Sequence, residues 1–284
     1  MSAQLITSDL RRWIVAQATA GHSPETVLDA MKASGWDEDV AIAAMESTLS
    51  EHLQVPGGGG RGAETARPVP GAAISAGAPL CRAGDRDVKV LMALSAPRVV
   101  VFGDLLAPDE CAELIELARE RLVRSETVET KTGSSAVNEA RTSDGMFFEP
   151  AEFPVCARLE SRIATLLDWP LANGEGLQIL RYGPGAEYKP HYDYFDPAEP
   201  GTPTILKRGG QRVASLVCYL NTPEAGGATV FPDAGLEVAP VQGNAVFFSY
   251  DRADPATRTL HGGAPVTAGE KWVATKWMRE GRFE

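Results

Sequence analysis

Apolar and polar positions along the chain follow three different rules in three successive regions. Between residues 8 and 53, apolar residues recur at helical spacing: Leu10, Trp13 and Ile14, then Val27, Leu28 and Met31, then Val40, Ile42 or Ala43, Met45 and Leu49. That period places each set on one helical face and predicts three short helices. Ser23-Pro24 supplies an N-cap with proline at the first helical position, and Gly35 supplies a C-terminal stop. Residues 55–80 are rich in Gly, Pro and Ala with no period, which predicts a flexible linker. From Cys81 or Val88 onward, apolar β-branched runs at Val88–Leu91 and Arg98–Phe102 predict strands. Pro108 then opens a helix whose inner stripe is Cys111, Leu114, Ile115 and Ala118. Residues 125–140 are polar and read as a solvated loop, Arg141–Phe148 returns to strand character, and Phe153–Trp169 is a second amphipathic helix.

After Leu177 the pattern becomes short apolar runs separated by Gly, Pro and Asn. They are Leu177–Tyr182, His191–Phe195, Val213–Leu220, Thr229–Pro232, Leu236–Ala239, Ala245–Ser249, Gly262–Pro265 and Trp272–Trp277. Many short strands after two helices predict an α+β fold: a β-barrel or double-sheet jelly roll, with helices outside and a pocket at one mouth. The expected organisation is a helical bundle over 1–54, a linker over 55–80 and a larger domain over 81–284.

Composition narrows the class. The chain has 284 residues, 44% hydrophobic and 23% charged, as in soluble globular proteins. Thirty-eight acids against twenty-seven bases give a net charge of -11, which disfavours sequence-independent nucleic-acid binding. No apolar run approaches the ~20 residues that span a bilayer, and the N-terminus lacks the basic-then-apolar order of a secretory signal. Cys81, Cys111, Cys156 and Cys218 form no CxxC pair, and those in apolar periodic segments read as small buried hydrophobes. A cytoplasmic location is expected, with no membrane or nucleic-acid partner.

The candidate chemistry centres on His191-Tyr192-Asp193. On an extended strand, residues two apart share a face, so His191 and Asp193 can hold one ion together. An HxD pair alone is as readily two satisfied polar side chains. His261-Gly262-Gly263 adds a second histidine late in the β region, and Lys271 a cation on the following strand. Two histidines and one carboxylate with an open metal face is the ligand set of non-haem Fe(II) oxygenases; it is also one that zinc hydrolases use.

A family resemblance decides between them. Arg181-Tyr182-Gly183-Pro184-Gly185, Tyr188-Lys189-Pro190-His191-Tyr192-Asp193, Gly209-Gly210-Gln211-Arg212 and Tyr219-Leu220-Asn221 occur in that order. Gly226-Gly227-Ala228-Thr229-Val230-Phe231-Pro232, His261-Gly262-Gly263, Lys271-Trp272 and Lys276-Trp277 follow. Over about residues 95–280 this resembles the prolyl 4-hydroxylase family of Fe(II)- and 2-oxoglutarate-dependent dioxygenases, as does Arg141-Thr142-Ser143. A lysine at this place after the second histidine favours this branch over relatives with an arginine near it.

The resemblance implies a double-stranded β-helix (jelly-roll) core. It implies Fe(II) on His191, Asp193 and His261, and Lys271 as the cation for the far carboxylate of 2-oxoglutarate, with Tyr182 and Thr229 hydrogen-bonding the same group. Tyr188, Arg212 and Trp277 are implied to hold a prolyl peptide, and Arg141 to reach the same groove or an internal ion pair. Dioxygen is the second cosubstrate and ascorbate the expected reductant; the products are succinate, carbon dioxide and a hydroxylated proline.

Gly133–Ser135 with Asn138 and Glu139 are expected to belong to a lid that sets substrate preference. Two other readings stand beside this one: hydroxylation of a free amino acid or small metabolite, and a binding module without turnover. The N-terminal helices resemble ubiquitin-associated-type modules through Val27-Leu28, Met31 and Ser34-Gly35-Trp36, and are expected to bind a protein partner or to dimerise. His22 and His52 lie in this region and are read as surface residues.

Overall fold

The computed structural model of the protein describes residues 8–19, 23–53, 68–71, 78–129, 134–137 and 141–284. The chain divides into two compact units, Met1–Thr65 and Ala66–Glu284. Most of the glycine-rich stretch after residue 53 lies outside the described residues, as does His22.

The described part of the first unit comprises helices Ser8–Thr19, Pro24–Ala33 and Glu38–Leu53. Ser23 caps the second through its hydroxyl, which accepts from the Thr26 amide, with Pro24 at the first turn. Ile14, Val27, Met31, Ala41, Ala44 and Met45 form a small common core.

The second unit is a mixed α/β structure built on one large antiparallel sheet. Nine of its described strands run in the spatial order Leu80–Ala83, Arg86–Ser95, Arg98–Gly103, Ala245–Ser249, Arg212–Tyr219, Lys271–Arg279, Leu177–Tyr182, Asp144–Phe148 and Val123–Arg124. A smaller antiparallel sheet carries Leu236–Val238, Thr229–Phe231, His261–Gly263 and Tyr188–His191 in that order. The central strands of the large sheet carry apolar residues on both faces because both faces are largely buried.

Period-two alternation sorts their side chains. Val100, Phe102, Ala245, Phe247, Leu216, Cys218, Trp272, Ala274, Leu177 and Ile179 enter one core, packed against helices Pro108–Arg119 and Pro154–Leu167. The intervening Val99, Val101, Val246, Phe248, Val217, Val273, Leu180 and Tyr182 join a second core with Phe231 and Val238 of the small sheet. Helices cover one face, the small sheet covers part of the other, and the functional residues lie on that second side. All four cysteines are free and buried.

Two expectations are corrected. The stretch after Val123–Arg124 is no patternless loop: Glu126–Glu129 pairs antiparallel with Ser134–Val137 as a hairpin. Thr127-Val128 and Ala136-Val137 supply enough β character for the ladder despite the polar residues around them. Gly133, Asn138 and Glu139 lie outside the described residues. The strand expected over His191–Phe195 instead runs Tyr188–His191, leaving Asp193 in a bend beyond its end. The edge strand of the large sheet, Leu80–Ala83, begins at the last residue of the expected linker.

Candidate active site

Strand Tyr188–His191 lies antiparallel to His261–Gly263, with His191 directly opposite His261 and the ring centroids 4.4 Å apart. The approach depends on Gly262, where a Cβ would lie 2.7 Å from the Tyr188 carbonyl oxygen and 3.1 Å from the Pro190 nitrogen. Asp193 reaches the same point from the bend. Its Oδ1 is 3.5 Å from His191 Nε2, and its Oδ2 is 3.4 Å from His261 Nε2. Convergence therefore comes from strand pairing plus a turn of chain, not from two residues on one face of a strand.

Backbone carbonyls set both imidazoles. His191 Nδ1 lies 2.9 Å from the Lys189 carbonyl, and His261 Nδ1 lies 3.0 Å from that of Thr259. A carbonyl only accepts, so each Nδ1 carries a hydrogen, and each Nε2 is turned toward Asp193. Burial, partly opposed by Asp193, lowers the His261 pKa to about 4, which keeps the ring neutral near pH 7. One ligand atom from each of His191, Asp193 and His261 lies within 4.8 Å of the others. Two imidazole nitrogens and one carboxylate oxygen, converging in a mostly buried site, suit Fe(II) by donor chemistry.

Lys271 forms the back of the pocket. It opens the strand Lys271–Arg279, directly across from Tyr182, with Nζ 5.6 Å from the ring centroids of both Tyr182 and Tyr219. Thr229 sits on the same wall, its Oγ1 accepting from the Tyr219 hydroxyl at 2.8 Å. No carboxylate pairs with Lys271 among the described residues, and burial lowers its pKa to about 8. A buried ammonium without a counter-ion is unfavourable, and an incoming carboxylate relieves it. The structure thus brings His191, Asp193, His261, Lys271, Tyr182 and Thr229 around one pocket.

A larger cleft of about 540 Å³ adjoins it and is lined by Tyr188, Arg141, Arg212, Trp277, Phe147 and Val123, among others. Tyr188 stacks on His191 at 3.7 Å, and the Arg141 guanidinium lies 4.9 Å from the same phenol ring. Arg141 donates from Nη2 to Gln178 Oε1 at 2.8 Å. Arg212 lies 4.0 Å over the Trp277 ring, and its Nε and Nη2 bond the buried Glu175 at 2.7 and 3.0 Å. Its Nη1 donates to the Asp193 carbonyl at 3.4 Å.

Glu175, Gln178 and Tyr219 were absent from the sequence reading as site residues. Burial alone would raise the Glu175 carboxyl, but Arg212 and Arg279 outweigh it and hold the group below its ordinary range. Glu175 sits in the polar Asn173-Gly174-Glu175-Gly176 segment, where nothing in the sequence announces two arginine partners. Tyr219 did carry a signal, since Tyr219-Leu220-Asn221 is one of the family-like motifs.

The fold and the site define a class of oxygenase. Residues 177–279 match the model of the 2OG-Fe(II) oxygenase superfamily. The chain is 43% identical to prolyl 4-hydroxylase 1 of Arabidopsis thaliana over 204 residues, covering 65% of this chain and 70% of that protein. It is 37% identical to prolyl 4-hydroxylase 2 of the same plant over 219 residues, 69% of this chain and 72% of that one. The viral collagen prolyl hydroxylase of Paramecium Bursaria Chlorella virus-1, solved with 2OG, is 31% identical. That alignment covers 64% of this chain and 95% of the viral one, with a TM-score of 0.49. This chain belongs to the prolyl 4-hydroxylase family.

Proposed function

We propose that the protein hydroxylates proline within a peptide or protein, using Fe(II), 2-oxoglutarate and dioxygen. The observation that carries the reading is the pairing of an open His–Asp–His cluster with the buried Lys271, unpaired by any described carboxylate, on one pocket wall. On this reading the large and small sheets are the two halves of a double-stranded β-helix.

His191 Nε2, Asp193 and His261 Nε2 would hold Fe(II), which activates dioxygen while 2-oxoglutarate is oxidised to succinate and carbon dioxide. Lys271 fixes the far carboxylate of 2-oxoglutarate, and the Thr229 and Tyr182 hydroxyls orient it. The cleft holds the peptide. Tyr188 and Trp277 offer flat apolar faces to a pyrrolidine ring, and Arg212, stacked on Trp277 and tethered by Glu175, keeps that indole in place.

The hairpin Glu126–Glu129/Ser134–Val137 serves as a lid. Its base is tied by the Ser125 amide to the Ser143 carbonyl at 3.0 Å, and by the Thr142 amide to the Glu187 carbonyl at 3.1 Å. Substrate closure at the lid is thereby linked to the strand that carries His191. Ascorbate is the proposed reductant. The N-terminal helices are proposed to bind a protein partner, and four free cysteines support a cytoplasmic setting.

Mass spectrometry of proline-containing peptides incubated with Fe(II), ascorbate and 2-oxoglutarate tests the reading. One added oxygen on proline, absent when 2-oxoglutarate is omitted, is expected. An added oxygen found only on free amino acids would favour the metabolite reading. His191→Ala should abolish Fe(II)-dependent succinate formation; unchanged turnover would remove His191 from the ligand set.

A further inference from the structure

Beyond Arg212 at its start, the strand Arg212–Tyr219 turns apolar and aromatic side chains to the site except at Ser215. On Arg212–Tyr219, Leu216 and Cys218 face the helices, while Ser215 shares the opposite face with Val217 and Tyr219. Its direct strand partners are Trp277 on one side and Phe248 on the other. It is fully buried, and serine is a weaker strand former than the β-branched residues that fill such places. Packing does not account for a hydroxyl there.

The hydroxyl contacts the metal-ligand carboxylate. Ser215 Oγ lies 2.5 Å from Asp193 Oδ2 and 3.0 Å from the Tyr250 hydroxyl. An ionised carboxylate only accepts, so Ser215 donates to Asp193, and Tyr250 is left to donate to Ser215. Burial pushes the Tyr250 phenol well above its ordinary range, so it remains a donor. Hydrogen-bond donation thus runs one way, from Tyr250 to Ser215 to Asp193. The bond to Asp193 has the length of a charge-assisted O–H···O⁻ contact. It occupies Oδ2, the oxygen that also faces His261, and leaves Oδ1 toward His191.

We infer that Ser215 and Tyr250 form a positioning relay that orients the Asp193 carboxylate for metal ligation through one oxygen. The inference rests on the metal reading of His191, Asp193 and His261. Partners of this kind fix ligand orientation and typically contribute about 10–100-fold to metal affinity. A carboxylate freed from the relay can rotate to offer both oxygens, occupying a site that the cosubstrates need.

Co(II) titration of the full-length protein, followed by calorimetry and visible absorption, tests this without turnover. Ser215→Ala should weaken Co(II) binding about 10–100-fold and shift the ligand-field band, while Ser215→Thr, which restores the hydroxyl, should recover both. Tyr250→Phe keeps the ring and should give a smaller loss in the same direction; it carries the test if Ser215→Ala does not fold. Wild-type Co(II) affinity and an unshifted band in Tyr250→Phe and in any folded Ser215→Ala protein overturn the relay. No Co(II) binding by the wild-type protein overturns the metal site, and the relay with it.

Discussion

At neutral pH the Lys271 ammonium is held among phenol rings, with no carboxylate beside it among the described residues. Its replacement by alanine should therefore raise the 2-oxoglutarate requirement about 10–100-fold, the worth of a charge-assisted bond, and leave Fe(II) affinity unchanged. Equal effects on both would remove Lys271 from its assigned role. The lysine also imposes a pH dependence whose sign follows from its lowered pKa of about 8. Below that value the charge is already present when 2-oxoglutarate arrives. Above it each binding event must take up a proton, so affinity should fall about tenfold per pH unit. Direct 2-oxoglutarate titrations across this range check it. Lys271→Arg, if it accepts the ligand, should flatten the profile because arginine stays charged.

The metal site depends at the element scale on how closely two short strands approach. A methyl group at Gly262 would lie 2.7 Å from the Tyr188 carbonyl oxygen, so Gly262→Ala must separate the strands carrying His191 and His261. A loss of about 1–3 kcal/mol in stability is expected, together with weaker metal binding. Thermal unfolding with and without Co(II) reads both, and an unchanged metal-dependent rise in Tm would show that the strands need not touch so closely.

Much of this element plan was legible in the pattern. Leu177–Tyr182 and Ala245–Ser249 match their expected bounds because short, largely apolar runs flanked by glycine or asparagine have few alternatives. The histidines and Lys271 were legible through motif order. Other features were not. Asp193 sits past the end of its strand, a consequence of tertiary convergence that no local period records. The hairpin after Ser125 is mostly polar, so hydrophobic alternation gave it no voice. Glu175, Ser215 and Tyr250 act through partners distant in sequence, and spacing carries no information about them.

The second unit as a whole joins its helices and sheets through buried ion pairs. Arg162 links Asp85 and Glu110, Lys276 meets Glu160 at 2.7 Å, and Glu175 bridges Arg212 and Arg279. Hydrogen bonding by Arg162 lowers Asp85 to about 2, although Asp85 is largely exposed at the surface end of that pair. Burial would raise Glu110 and Glu175, but their arginine partners outweigh it and leave both lowered. Depressed carboxyl pKa values stabilise the fold fully above the unfolded values near 4.5 and lose that contribution as pH falls through the folded ones. Stability should therefore fall gently below about pH 6.5, where the unfolded chain protonates His261 and the folded one does not, and more steeply below about pH 4.5. Circular dichroism along an acid titration checks this, and stability that stays constant from neutrality down to about pH 4 would overturn it.

The strand Lys271–Arg279 also sets how the protein can change over time. Lys271, Val273, Thr275 and Trp277 look into the pocket, while Trp272, Ala274 and Met278 belong to the helix-side core, and Lys276 meets a helix carboxylate there. Point substitutions at the odd-numbered positions can retune chemistry while the scaffold stays intact. A single-residue insertion or deletion exchanges the two sets, delivering tryptophan to the pocket and lysine to the core. Divergence among descendants of this chain is thus channelled into replacements within that strand, with length changes confined to the loops and the hairpin.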